Sequence, residues 1–375
     1  FNDDISNWDT SSVTNMYGLF WGATTFNRNL GAWDTSKVEN MMRMFDRARS
    51  FDNEGSNSIG TWTVSSVIKM NLMFYDARSF NRNIGSWDTR NVQNMASMFQ
   101  GTRVFDNDGS DTIKSWTVSS VTDMNSMFRG TWVFNQPIED WDVRNVKNMG
   151  SMFRGARVFN KPLNDWETLS VNNINNMFRD AYKFDQPIND WDITDVNQLI
   201  NVFRNATDFN QDLGDWDVSG VNTMSNMFWS NSNGKFNNGG SDSINDWDVS
   251  GVNNMASMFE GLLNFNQPLN KWNVSSVDDM RLMFKNSRAF NQPLNNWDVS
   301  NVNNMAQMFS EASDFNQDLS GWCVSGIGSQ PNDFNLNNGM ENEPAFQPRW
   351  GSACSPLVIL TDSDSDDIIG PGQSM

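Results

Sequence analysis

The chain has 375 residues, with 17 Trp, 27 Phe and 23 Met but only 3 Tyr, 2 Cys and no His. Without His it can run no Ser-His-Asp or Cys-His mechanism and build no zinc site of the usual kind. Lys and Arg number 26 against 45 Asp and Glu, a net charge of −19, which disfavours nucleic acid and anionic lipid as partners. Aromatic residues at 13% argue against disorder. No run of 18 apolar residues is present to span a membrane. The sequence starts at Phe1, inside a repeat, and reads as a segment of a longer or processed protein.

Taken in chain order, one residue sets the period. Trp8, Trp33, Trp62 and Trp87 open a series that runs to Trp322 in steps of 25, with longer steps of 29, 29 and 31. Phe1, Phe26, Phe51 and Phe80 keep the same beat as far as Phe315. Thirteen units result, the last degenerate, and the stretch Phe290–Ala312 (FNQPLNNWDVSNVNNMAQMFSEA) carries the pattern almost throughout. In the first unit Val13, Met16, Leu19, Phe20 and Ala23 fall on one face of a short helix, with Ser11 or Ser12 in the N-cap place. Around Trp141 the pattern alternates, Trp in, Asp142 out and Val143 in, which predicts a very short strand.

Strand plus helix in every 25 residues gives an α/β fold, a right-handed leucine-rich-repeat-like solenoid with parallel strands on one side and helices on the other. At about 4.8 Å per strand the stack is roughly 60 Å long. The Trp, Phe and Met columns are its core. The Asn that follows each Phe, as at Asn27, Asn81 and Asn135, with Asp52, Asp106 and Asp185 as replacements, is expected to bond the backbone of the neighbouring unit.

Function in a solenoid resides in what is not repeated. Three units carry four extra residues between Phe and Trp: DNEGSNSIGTW from Asp52, DNDGSDTIKSW from Asp106 and NNGGSDSINDW from Asn237. Asp106, Asp108 and Asp111 have the rhythm of a calcium loop without its terminal Glu, so Ca²⁺ is a candidate ligand beside the plainer reading of a solvated Gly/Ser turn. All three loops are expected on one edge, a rim for partner contact.

In five consecutive units both flanks of the Trp are acidic: Asp140 and Asp142, Asp165 and Glu167, Asp190 and Asp192, Asp215 and Asp217, Asp246 and Asp248. These ten form a candidate ligand-binding face. The acid after Trp is explained equally by local capping of backbone N–H groups, whereas the acid before it is not. Ca²⁺, or a basic or sugar ligand, would offset the crowded charge. Carboxylates two residues apart on a strand also match the separation in inverting glycosidases. A catalytic pair should be unique, however, and this one recurs five times.

Arg129, Arg154, Arg179 and Arg204 follow the Met-Phe or Val-Phe pair in consecutive units, where a cation would complement a helix C-terminus. Trp21, Trp132 and Trp229 lie outside the core column and are candidate contacts for a glycan or protein.

Units such as FNQPLNNWDVSNVNNMAQMF, and the variant FNNGGSDSINDWDVSGVNNMASMF from Phe236, resemble the BspA-like leucine-rich-repeat surface proteins, more closely the subgroup of mycoplasma lipoproteins. The resemblance covers residue 1 to about residue 355. It implies an extracellular or cell-surface protein used in adhesion and ligand binding, without catalysis. Trp350-Gly351-Ser352-Ala353-Cys354 resembles the family's closing segment. On that basis Cys323 and Cys354 are expected to form a disulfide pinning a cap, which implies an oxidising compartment; two buried thiols are the alternative.

The domains expected are a repeat solenoid over 1–322, a C-terminal cap over 323–355 and an acidic linker or tail over 356–375. Partners expected are an extracellular protein, a glycan or further copies of the chain, with no nucleic acid and no direct membrane insertion. The competing functional reading is a structural repeat segment of an extracellular assembly, such as a filament, sheath or viral fibre.

Overall fold

A computed structural model describes residues 1–231 and 233–351. The units stack in register through backbone hydrogen bonds between each unit and the next. Met16 N–H donates to Asn40 O (2.9 Å), Gly18 N–H to Met42 O (3.0 Å), Phe20 N–H to Met44 O (2.8 Å) and Gly22 N–H to Asp46 O (2.7 Å). The residues between them close turns within their own unit, with Leu19 N–H on Met16 O, Trp21 N–H on Gly18 O and Ala23 N–H on Phe20 O. Every amide in this stretch is therefore paired, alternately along the stack and within the coil.

That alternation overturns the expected helices. Among the described residues there is no α-helix, only 3-10 segments of three to five residues. In the Met-x-x-Met-Phe stretch, positive φ recurs at positions four apart: Gly18 and Gly22, Arg43 and Arg47, Ser126 and Gly130, Asn201 and Asn205. A right-handed helix tolerates no such residues. Successive four-residue turns put Met16, Phe20 and their equivalents inside at nearly the helical spacing, which is why the apolar pattern mimics a helix. Leu19, expected inside, is 47% exposed.

Among the described residues the expected strand at Trp forms only in the last unit, at Cys323–Val324; elsewhere the Trp amide closes a turn on the residue three before it, as Trp141 does on Ile138 O (3.2 Å), and no strand follows. Parallel pairing occurs one residue wide at another place, between the Val and Met columns, in bridges joining Asn15, Asn40, Lys69, Asn94, Asp123, Asn148 and Asn173 in turn. The two-residue strands β1 (Cys323–Val324) and β2 (Arg349–Trp350) pair in parallel, Cys323 with Arg349. The molecule is thus a repeat stack of turns and bridges rather than an α/β fold.

The core columns stand as expected. Trp87 stacks on Trp116 (6.3 Å, 2°), Phe80 on Phe105 (6.0 Å), and Phe74 lies against Phe80 at 3.9 Å. All of these side chains are buried. Each indole also bonds the preceding unit: Trp87 Nε1–H donates to Ile59 O and Trp191 Nε1–H to Leu163 O. Burial depends on having neighbours on both sides, since Phe1 and Trp8, with one neighbour each, are 63% and 57% exposed.

The Asn column forms an unbroken ladder. Asn27 N–H donates to Asn2 Oδ1, Asp52 N–H to Asn27 Oδ1 and Asn81 N–H to Asp52 Oδ1, and so on to Asn316 N–H on Asn291 Oδ1. Only a side-chain acceptor oxygen is used along the ladder, so Asp serves where Asn is replaced. At the C-terminal end the parallel ring stack stops: Phe334 meets Phe309 edge-on at 88°, and Trp350 meets Phe334 edge-on at 85°.

Candidate functional site

The ten acids flanking Trp lie beside buried indoles on the surface. Asp140, Asp142, Asp165 and Glu167 line one shallow groove of about 330 Å³, and Asp190, Asp192, Asp215 and Asp217 another of about 300 Å³. The two columns behave differently. The acid after Trp accepts the backbone N–H two residues on: Asp192 from Thr194, Asp217 from Ser219 and Asp248 from Ser250, each at 3.0 Å. The Ser219 and Ser250 hydroxyls, then those amides, hold Asp217 and Asp248 below the usual carboxylate value, and the Arg144 guanidinium does the same for Asp142. Such groups are fixed acceptors, unsuited to donating a proton.

The column before Trp is met by neighbours from outside the backbone. Asn164 Nδ2 donates to Asp165, Asn189 Nδ2 to Asp215, and Lys271 Nζ pairs with Asp246 at 2.6 Å. Glu167 lies 4.0 Å from Arg144. Eight of the ten acids therefore have a partner, while Asp140 and Asp190 face water.

The arginine row has the opposite character. No helix ends there, so the dipole account of these residues lapses. Arg129, Arg154, Arg179 and Arg204 are half-buried and follow directly on Phe128, Phe153, Phe178 and Phe203, whose rings stack at 5.8, 5.7 and 5.7 Å. Along the row the polar contacts are long. Arg179 reaches Asn176 at 3.5 Å, and Arg204 reaches Asn201 and Asn226 at 3.4 Å. Among the described residues one acid comes within ion-pair range of the row: Asp180 lies 3.5 Å from Arg179 Nε, which is buried and makes no hydrogen bond. Burial first, then the neighbouring arginines, pulls Arg154 and Arg204 below the ordinary guanidinium value. The acids acting on those two are Asp180 and Glu260, none of them from the Trp-flanking face.

The extra-core Trp residues are engaged with this cationic side. Trp132 sits between Arg103 and Arg157, at 4.4 and 4.2 Å, so both ring faces are covered. Trp229 occupies the next position of the arginine row, under Arg204 at 4.2 Å. Trp21, in the first unit, is 49% exposed with Arg43 at 5.0 Å. The three do not form one platform.

The inserted loops are anchored, not merely solvated. Each opens with three consecutive residues at positive φ, Asn107, Asp108 and Gly109 in the second. Asn107 is fully buried, accepts Ile84 N–H at 2.9 Å and donates to Ser110 O at 2.7 Å; Asn53 and Asn238 repeat the arrangement. The preceding unit yields space with a glycine. A Cβ on Gly85 would come within 2.0 Å of Thr112 Oγ1, and Gly31 and Gly214 meet Ser58 and Ser243 in the same way.

The calcium reading is not carried by this geometry. Asp106 accepts Asn135 N–H, Asp108 accepts from Asn57 Nδ2, and Asp111 pairs with Lys114 at 3.0 Å. Among the described residues no group of three acidic or Cys side chains is placed to hold a metal. The expected Cys323–Cys354 pairing and the 356–375 tail lie outside the described residues, as do the last four residues of the cap.

Sequence reasoning missed the glycine before each insertion and the lack of acids beside the arginine row. The first signal was present only in part: Gly follows Leu or Ile in those three units, but Gly60 does so too with no insertion in the next unit, while the others carry Ser, Lys, Asn or Glu.

No curated protein matches the chain. Among solved structures, the "Crystal structure of TLR13-ssRNA13 complex" aligns at 8% identity over 82% of this chain and 50% of that one. This chain thus spans half the length of the solved one. The TM-score is 0.19, too low to bear on fold or function. A family pattern matches at residues 1–58, 55–112, 109–199, 164–242 and 232–345. With those overlapping matches covering most of its length, the chain belongs to the repeat family described as "Mycoplasma protein of unknown function, DUF285".

Proposed function

We propose that this chain is a non-catalytic, extracellular surface repeat protein of the BspA-like kind, acting in adhesion or ligand binding through its exposed rows. In this reading its thirteen repeats wind as one right-handed, leucine-rich-repeat-like coil, closed at the C-terminal end by a cap carrying a Cys323–Cys354 disulfide.

The observation that supports it most is the contrast between inner and outer columns. The Phe of the Met-Phe pair is kept from unit to unit and buried, while the residue after it changes from Trp21 to Tyr75, Gln100, Arg129, Trp229 and Lys285. A stack whose interior is uniform and whose surface is individual suits recognition better than a repetitive filament. Recurrence of the carboxylate pair in five units, with Asp142, Asp217 and Asp248 held ionised, speaks against a single acid–base centre.

The test is adhesion itself. Microspheres coated with the full chain should adhere to a layer of extracellular matrix above bare microspheres, and the soluble chain should compete. Equal adherence of coated and bare spheres would remove the reading. Alkylation without reduction should leave both cysteines unmodified if the cap disulfide is present.

A further inference from the structure

The arginine row is the feature that neither packing nor local pairing accounts for. Four cations stand in consecutive units at the 5.7–5.8 Å step of the phenylalanines beneath them. They are half-buried, and among the described residues Asp180 is the one carboxylate in ion-pair range of any of the four. Arg129 and Arg154 have no ion pair among the described residues, although the chain carries 45 acids against 26 cations. Half-buried like charges repel one another and lose hydration, so the row is costly in the free protein. An anion bridging adjacent guanidiniums would relieve both penalties, and the planar fork of Arg suits an oxyanion bidentately.

We propose that Arg129, Arg154, Arg179 and Arg204 form a track for a linear acidic polysaccharide lying along the stack, each guanidinium donating to an anionic group on a successive sugar. This deepens the adhesion reading and rests on it.

Charge density selects the polymer. Duplex DNA carries one charge per ~1.7 Å of axis, far denser than one cation per unit of this stack. A chain of net charge −19 would repel that excess. A polysaccharide with one carboxylate or sulfate per sugar matches the row more nearly and leaves less charge uncompensated. Trp229 continues the row beyond Arg204, where the cationic contacts end. The row also has a polar flank in Asn176, Asn201 and Asn226, already in reach of Arg179 and Arg204, which suits sugar hydroxyls.

The experiment is calorimetric titration of the full chain with an oligogalacturonate, which has one carboxylate per sugar. A neutral galactan, a sulfated oligosaccharide and single-stranded DNA of matched length serve as further arms. Binding should be present for oligogalacturonate or the sulfated chain, absent for galactan and weaker for DNA; the first two arms say which oxyanion is used. Arg154→Gln with Arg179→Gln should weaken it by about tenfold or more, the usual consequence of losing charged hydrogen bonds. Arg154→Lys with Arg179→Lys, which keeps charge without the fork, should lose less. The control, Arg90→Gln with Arg144→Gln, removes arginines already paired with Asp88 and Asp142 and should leave affinity unchanged.

The track is overturned if the wild type binds neither acidic oligosaccharide, if the Gln pair binds as tightly as wild type, or if DNA binds best. Matrix adhesion undiminished in the Gln pair would also remove the track while leaving adhesion standing. Oligosaccharide binding without matrix adhesion would keep the track and remove the adhesion reading.

Discussion

Two rows of like charge run along the same part of this molecule. The Trp-flanking acids from Asp140 to Asp248 and the arginines from Arg129 to Arg204 share a repeat but not a setting. Most acids have a short bond of 2.6–3.0 Å to a local N–H, Asn, Lys or Arg; Glu167 reaches Arg144 only at 4.0 Å, and Asp140 and Asp190 face water. The arginines are half-buried, and their contacts sit at 3.4–3.5 Å. A repeated charge met locally is part of how each unit folds. A repeated charge left unmet where water is limited calls for something from outside.

The largest effect should come from the scaffold beneath both rows. Trp191 is 3% exposed and bonds Leu163 O through its indole. Trp191→Ala should lower stability by about 3–5 kcal/mol in denaturant unfolding; a loss under about 1 kcal/mol would show that the columns are not a continuous core. Next is Gly85→Ala, which drives a methyl onto Thr112 in the neighbouring inserted loop and should cost about 1–3 kcal/mol. Pairing it with Thr112→Gly should recover only part of that loss, because the Thr112 backbone carbon also lies 2.6 Å from the added methyl; full additivity would mean that the contact is not the cause.

The acid row is sharpened by pH. Asp9, Asp34, Asp88, Asp142, Asp217 and Asp248 have folded values below the ordinary 3.8. Their stabilisation is present above the unfolded value and is lost as pH falls through the folded ones. Burial raises Asp46 and Glu260 in the opposite sense, but six outnumber two. The melting temperature should therefore drop below about pH 4. Asp142→Asn, Asp217→Asn and Asp248→Asn together should flatten that limb while changing little at neutral pH, because Asn273 already fills this position and accepts Ser275 N–H. An unchanged acid limb would detach these residues from folding.

The smallest expected effect is that of calcium. At fixed ionic strength, millimolar Ca²⁺ should shift the melt no more than Mg²⁺ does; a Ca²⁺-specific rise would reopen the Asp106–Asp111 loop as a site.

Much of this was legible beforehand, for reasons tied to particular residues. Trp and Phe columns announce a stack because no single unit can bury them. The Asn ladder followed from a polar residue fixed beside a buried Phe, and the capping role of the acid after Trp followed from the local habits of Asp. The helices were misread because chained four-residue turns and a helix place nearly the same residues inside. A partial sign was the Ser97, Ser126, Ser151, Asn176 and Asn201 series, small polar residues at a position of positive φ that Arg43, Leu72 and Leu282 fill in other units. The arginine row was visible as a pattern, but its significance was not. Whether a cation is paired depends on which acids the fold brings near, and Asp140 to Asp248 are carried elsewhere.

The most direct test of the contrast is the melting temperature of Arg154→Gln with Arg179→Gln against wild type at low ionic strength. Relief of unmet, half-buried charge predicts a melt at or above the wild-type temperature, with the difference shrinking as salt is added. A clear fall would contradict the account and make the arginine row part of the scaffold.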